Sequence, residues 1–182
     1  MSLRPLPRAR RFGRSLVARA PDSEATSWAH SFLSDRERRL FDQMAAVDRS
    51  HSIGVARGVV AHLDRVGLHE HDAAARWIVA AALTHDVGKT VAGLGTYGRV
   101  VATLSEAVGG ASMGAVWAER SGMTRKVGLY LQYPALGADL LAVADSDERV
   151  VAWAAEHHEP EEEWTVPLEA GRLLRDADDD AL

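Results

Sequence analysis

Side chains able to hold a cation sit at the ends of apolar stretches in this sequence. The run from Ala73 to His85 contains Trp77, Ile78, Val79, Leu83 and several alanines, and it breaks abruptly into Thr84-His85-Asp86-Val87-Gly88-Lys89. An imidazole and a carboxylate in such a place are costly to bury unless they are paired or bind a cation. There is no cysteine, so disulfides, thiolate metal sites and cysteine nucleophiles are excluded. A metal must then be held by His and carboxylate groups. Those donors suit a divalent ion such as Mn, Fe, Co, Ni, Zn or Mg. One such ion can gather His51, His85, Asp86 and Asp178 from three distant segments.

Helical spacing recurs along the chain, and no alternating β-branched run is bounded by hairpin turns, so an all-α fold is expected. Ser34-Asp35-Arg36-Glu37 reads as a capping box, followed by Leu40, Phe41, Met44 and Val47 at helical intervals. Ile53, Val55, Val59, Val60 and Leu63 mark a helix that carries His51 in its first turns and stops near Gly67. The Ala73 to His85 segment, apolar on nearly every face, belongs in the middle of a bundle. Gly93 to Gly98 reads as a loop, and shorter helices are expected around Val100 to Val108, Met113 to Arg120 and Arg125 to Gln132. Pro134 suits the first turn of a helix through Leu140 and Leu141, and Ser146 or Asp147 caps the next. There Val150, Val151, Ala154, His157 and His158 share one face, which extends an apolar stripe into two histidines. A last helix over Leu168 to Leu182 turns Leu173, Leu174 and Ala177 inward, with Asp178 beside them.

At 182 residues the chain suits one domain with a substantial core. Residues 1–21 read as a basic, flexible tail and 22–182 as the helical domain. The tail holds Arg4, Arg8, Arg10, Arg11, Arg14 and Arg19 with no acidic residue, yet a solvated tail explains it better than a transit peptide or a nucleic-acid arm. The net charge of -5 gives no reason to expect nucleic acid. No apolar run approaches the roughly 20 residues needed to cross a bilayer, and no secretory h-region is present. A soluble cytoplasmic protein without a membrane partner is expected. The excess of Arg over Lys and the abundant Ala resemble the composition of a GC-rich bacterial source.

Three segments, Arg49-Ser50-His51-Ser52-Ile53-Gly54-Val55-Ala56, Leu83-Thr84-His85-Asp86-Val87-Gly88-Lys89 and Leu173-Leu174-Arg175-Asp176-Ala177-Asp178, together resemble the HD superfamily of phosphohydrolases. Its pattern is a His on one helix, an adjacent His-Asp on a second and an Asp on a late helix. The resemblance implies a helical bundle of the HD type, with His51, His85, Asp86 and Asp178 as metal ligands. Asp176 competes for the last position, which Asp178 fits better. The implied activity is metal-dependent hydrolysis of a nucleotide or another small phosphate ester. From the ligand set itself, Asp86 is expected to help deprotonate water, and Lys89, one helical turn from His85 if that helix continues, to neutralise phosphate charge. Tyr133-Pro134-Ala135-Leu136-Gly137 and His157-His158-Glu159 further resemble the HD-GYP branch, which implies His157 and His158 as additional metal ligands. This chain departs from that branch in having Tyr133 where a His stands and in lacking Gly-Tyr-Pro after Glu159. The departures leave one firmly held metal as the expectation. They also motivate an alternative from another class, a catalytically silent domain that binds a ligand or a protein partner. His30, His62, His69 and His71 are expected to be structural or exposed, and the tryptophans to pack in or near the core.

Overall fold

A computed structural model describes residues 20–92 and 114–181, and among these residues it is entirely helical. The elements are α1 (Ser23–Phe32), α2 (Asp35–Gln43), α3 (Ala46–Ala61), a 3-10 turn (Leu63–Val66), α4 (Arg76–Thr84), α5 (Lys89–Ala92), α6 (Gly114–Ala118), α7 (Gly122–Leu131), α8 (Tyr133–Val143), α9 (Glu148–Glu156), a second 3-10 turn (Glu161–Glu163) and α10 (Leu168–Asp180). No helix is long and apolar enough to cross a membrane among the described residues. The loop expected at Gly93 to Gly98, the helix expected at Val100 to Val108, Met113, Leu182 and nearly all of the basic tail lie outside the described residues.

Local signals explain most boundaries. Ser34 Oγ accepts from the Glu37 backbone N–H, and the Glu37 carboxylate accepts from the Ser34 N–H at 2.8 Å, so both halves of the capping box form. Gly67, at φ 70°, ends the first 3-10 turn in the left-handed conformation that glycine adopts at little steric cost. Asp147 caps α9, accepting from the Arg149 N–H. Helix α1 was not foreseen in the sequence; Asp22 caps it, and it buries Ala25, Ala29 and Phe32.

Helix α4 is the centre of the bundle, packed by α1, α2, α3, α9 and α10. Every residue from Trp77 to Thr84 is buried, which is why its sequence is apolar all round. The run of Ala80, Ala81 and Ala82 keeps its girth small, so neighbours can approach from all sides. Helices α3 and α10 approach closely for the same reason. A Cβ placed on Gly58 would lie 3.3 Å from the Ala177 Cβ, and Gly54 faces Ala181. This contact brings the helix bearing His51 beside the helix bearing Asp178.

The segment after α4 is held by a different close approach. Residues 85–88 form a turn that packs on the start of α8, where a Cβ on Gly88 would stand 1.9 Å from the Tyr133 carbonyl oxygen and 2.6 Å from the Gly137 nitrogen. Only glycine fits there. The His85-Asp86 turn and Tyr133 are thereby fixed against each other through their backbones.

Candidate metal centre

Three of the predicted ligands converge. His51, His85 and Asp178 each offer one ligand atom, and these atoms all lie within 4.8 Å of one another. The His51 Nε2 is 2.9 Å from Asp178 Oδ1, and the His85 Nε2 is 3.9 Å from the same oxygen. Asp86 stands beside them, its Oδ2 3.6 Å from His85 Nε2. Asp176, the competitor for the late position, points elsewhere and pairs with Arg65 at 2.8 Å.

The tautomer of His85 suits a cation. Its Nδ1 lies 2.9 Å from the Ala82 carbonyl oxygen, which can only accept, so Nδ1 carries the proton and Nε2 presents its lone pair to the other donors. His157 is arranged alike, with Nδ1 3.0 Å from the Ala154 carbonyl oxygen. Two imidazoles and a carboxylate on rigid helices are a donor set that first-row divalent ions and Zn accept.

Lys89 is not on a continuation of α4, because the chain turns at 85–88 before α5 begins. The turn instead folds the ammonium back onto Asp86, 2.5 Å from Oδ2. Burial alone would push the Asp86 carboxyl up, but Lys89, His85 and His51 outweigh it and hold the carboxyl well below the usual carboxylate range. Burial likewise opposes the charge on Lys89, which Asp86, Tyr130 and Asp48 more than restore, so its pKa is raised. Asp48 was missed in the sequence, where one acid among helical residues reads as solvated. It is buried and lies one turn before His51, a spacing that could have flagged it.

His157 extends the buried face of α9 as its C-cap, still in the helical conformation with its N–H on the Trp153 carbonyl, whereas His158 follows in the turn and is exposed. The helix stops at Glu156, and His157 is its C-cap residue. The Trp164 indole N–H donates to the carbonyls of Glu156 and Glu159, each at 3.0 Å, which satisfies acceptors left open at that helix end. Arg175 stacks over the Trp164 ring and both Arg172 and Arg175 pair with Glu161. A Cβ on Gly171 would meet that ring at 2.6 Å. The loop with the two histidines is thus fastened to α10, which carries Asp178. The His157 ring stands next to that of His85, with centroids 5.3 Å apart, but both Nε2 atoms of the pair are directed to the Tyr133 hydroxyl, at 3.1 Å for His157 and 2.5 Å for His158. Burial, and then the neighbouring His158 and His85, push the His157 pKa down to about 3.

The other histidines lie apart from this cluster. His30 pairs with Asp42 at 2.9 Å, and His62, His69 and His71 are exposed. Trp77 and Trp153 are buried, and Trp28, Trp117 and Trp164 partly so.

The His51 and Asp178 pair gives a pH dependence. Burial disfavours the charged His51, yet the hydrogen bond to Asp178 and the charges of Asp86 and Asp178 raise its pKa above 6.5. Burial works against the ionised Asp178 as well, but the bond to His51 and the charges of His85 and His51 lower its pKa below 3.8. Stability from the raised His51 is fully present below its unfolded value and is lost as pH rises through the folded one. Stability from the depressed Asp178 is present above its unfolded value and lost as pH falls. With metal chelated, the urea midpoint of His51→Gln should therefore trail that of the parent more at about pH 5.5 than at about pH 9. An equal gap at both pH values would refute the pairing.

No family model, curated protein or solved structure matches this chain. Its chemistry is read from its own side chains.

Proposed function

We propose that this chain is a metal-dependent phosphohydrolase with a helical bundle of the HD type, acting on a nucleotide or another small phosphate ester. The observation that carries the reading is the convergence of His51, His85 and Asp178, drawn from α3, the end of α4 and α10, within 4.8 Å. Three polar side chains from distant parts of the chain thus bring two ring nitrogens and a carboxylate oxygen to one point. Asp86, paired with Lys89, lies 3.6 Å from the His85 Nε2 and is not one of the three donors that converge.

A divalent ion in this site would make a coordinated water more acidic and offset charge on a phosphoryl oxygen. The protein groups supply the remainder. Asp86, held ionised by Lys89, is a weak base and suits orienting the attacking water better than keeping its proton. Lys89 has three donors, one of them on Asp86, so the others can neutralise a phosphoryl oxygen as negative charge builds there.

The direct test is turnover of mononucleotides, aryl phosphates and phosphodiesters by the purified chain, with Mn, Co, Ni, Zn or Mg added and then chelated. Hydrolysis that depends on added metal is expected. Bound metal without turnover of any ester would favour a silent ligand-binding or interaction domain instead.

A further inference from the structure

The end of α4 away from His85 opens on a second cavity. Arg76 begins that helix and His85 caps its far end, roughly 14 Å away at the rise of a helix, so the cavity is separate from the candidate metal centre. It measures about 260 Å³ and lies where the start of α2, the start of α4 and the corner between α8 and α9 meet. That volume suits a ligand smaller than the usual drug-sized one.

Five charged side chains line the cavity, Glu37, Arg76, Asp145, Asp147 and Arg149, and three of them are matched within the protein. Asp145 pairs with Arg36. Asp147 is held by Arg149 through its Nε at 2.8 Å and an amino group at 2.6 Å, and the same guanidinium lies over the Trp77 ring at 4.6 Å. Glu37 and Arg76 are the two left over. Glu37 is 6% exposed, and its Oε2 accepts from the Ser34 N–H at 2.8 Å, while Oε1 takes no partner among the described residues. A buried carboxylate bonded at one oxygen is costly unless a cation or a donor reaches the other. Arg76 Nε donates to the Phe32 carbonyl at 3.2 Å, and its two amino groups take no partner among the described residues.

One short stretch of backbone therefore fastens both groups, Glu37 on the Ser34 N–H and Arg76 on the Phe32 carbonyl. Opposite charges are held near each other without forming an ion pair. A bare cation drawn to Glu37 would be repelled by Arg76, and a bare anion drawn to Arg76 would be repelled by Glu37, so the complementary ligand carries both signs. The rest of the lining is apolar, with Phe32, Trp77, Ala80 and Val150 all buried.

We propose that this cavity binds a free α-amino acid with an apolar side chain, its ammonium on Glu37 Oε1, its carboxylate on the Arg76 amino groups and its side chain against Phe32, Trp77 and Val150. The site is independent of the hydrolase reading, and its test needs no turnover.

Calorimetric titration of the full chain in chelator, which prevents amino acids from reporting on bound metal, compares leucine with leucinamide and N-acetylleucine. Each analogue lacks one of the two charges. Leucine should bind, and each analogue should bind at least about 10-fold more weakly, the size of one charged hydrogen bond. Glu37→Gln keeps the capping bond, since a glutamine oxygen also accepts from the Ser34 N–H, and removes the charge. In that variant leucine should lose about 10-fold or more in affinity while N-acetylleucine binds as it does to the parent. Arg76→Gln should show the converse, weakening leucine and leaving leucinamide unchanged. No binding of leucine, valine or phenylalanine to the parent at about 10 mM would overturn the proposal. Equal affinities of the parent for leucine and both analogues, or an unchanged leucine affinity in a folded Glu37→Gln, would overturn it as well. The comparison of ligands on the parent chain decides the matter even if a variant fails to fold.

Discussion

Replacing His85 with alanine is expected to weaken divalent-cation binding by more than about 100-fold, since even loss of a group that only orients a ligand costs 10-fold to 100-fold. The reason lies in its place among the donors. His85 is 3% exposed, and its Nδ1 is committed to the Ala82 carbonyl, so its Nε2 is presented in one orientation with no rotamer freedom to lose on binding. It also stands between the other groups, 3.9 Å from Asp178 and 3.6 Å from Asp86. Metal-dependent turnover should vanish with the ion. Calorimetric titration of the variant with Mn and with Zn measures the effect, and circular dichroism shows whether the helices persist. An affinity within a few-fold of the parent in a folded variant would remove His85 from the ligand set.

A second large effect is expected on stability. Lys89→Met should destabilise the metal-free chain by about 3–5 kcal/mol, the usual cost of removing one partner from a buried ion pair. Asp86 is 2% exposed, and its carboxylate would be left without its nearest cation. His85 and His51 are close enough to relieve part of that loss, which places the expectation toward the lower end. A bound divalent ion should restore much of the difference, because it would supply positive charge beside the same carboxylate. Urea unfolding of parent and variant, with chelator and then with metal, reads both parts. A loss below about 1 kcal/mol in chelator would show that Asp86 does not depend on Lys89.

These two residues illustrate what the sequence makes legible. His85 stands out because an apolar helix ends in a polar cluster, a contrast that survives without any tertiary information. The role of Lys89 is different. Counting four residues from His85 places it one helical turn away, but the chain leaves the helix at the 85–88 turn, and the ammonium reaches Asp86. A backbone turn enforced by contact between Gly88 and Tyr133 cannot be seen in local spacing. His158 shows the same limit, since the buried stripe runs through Val150, Ala154 and His157 while the helix itself stops at Glu156 and leaves His158 exposed. Asp178 and Asp176 are two residues apart in an acidic run, and only the packing of α10 on α3 and on the 3-10 turn decides that one meets His51 and the other Arg65. The capping box at Ser34 and the central position of α4 were both readable, because each follows from a pattern within a few turns of chain.

The central claim is that side chains from α3, the end of α4 and α10 bind one divalent ion together. Elemental analysis after saturation with Mn and exhaustive dialysis tests it most directly, with the parent chain beside Asp178→Asn. The parent should retain close to one ion per chain and the variant almost none. Equal metal in the two proteins, or none in either, would contradict the account.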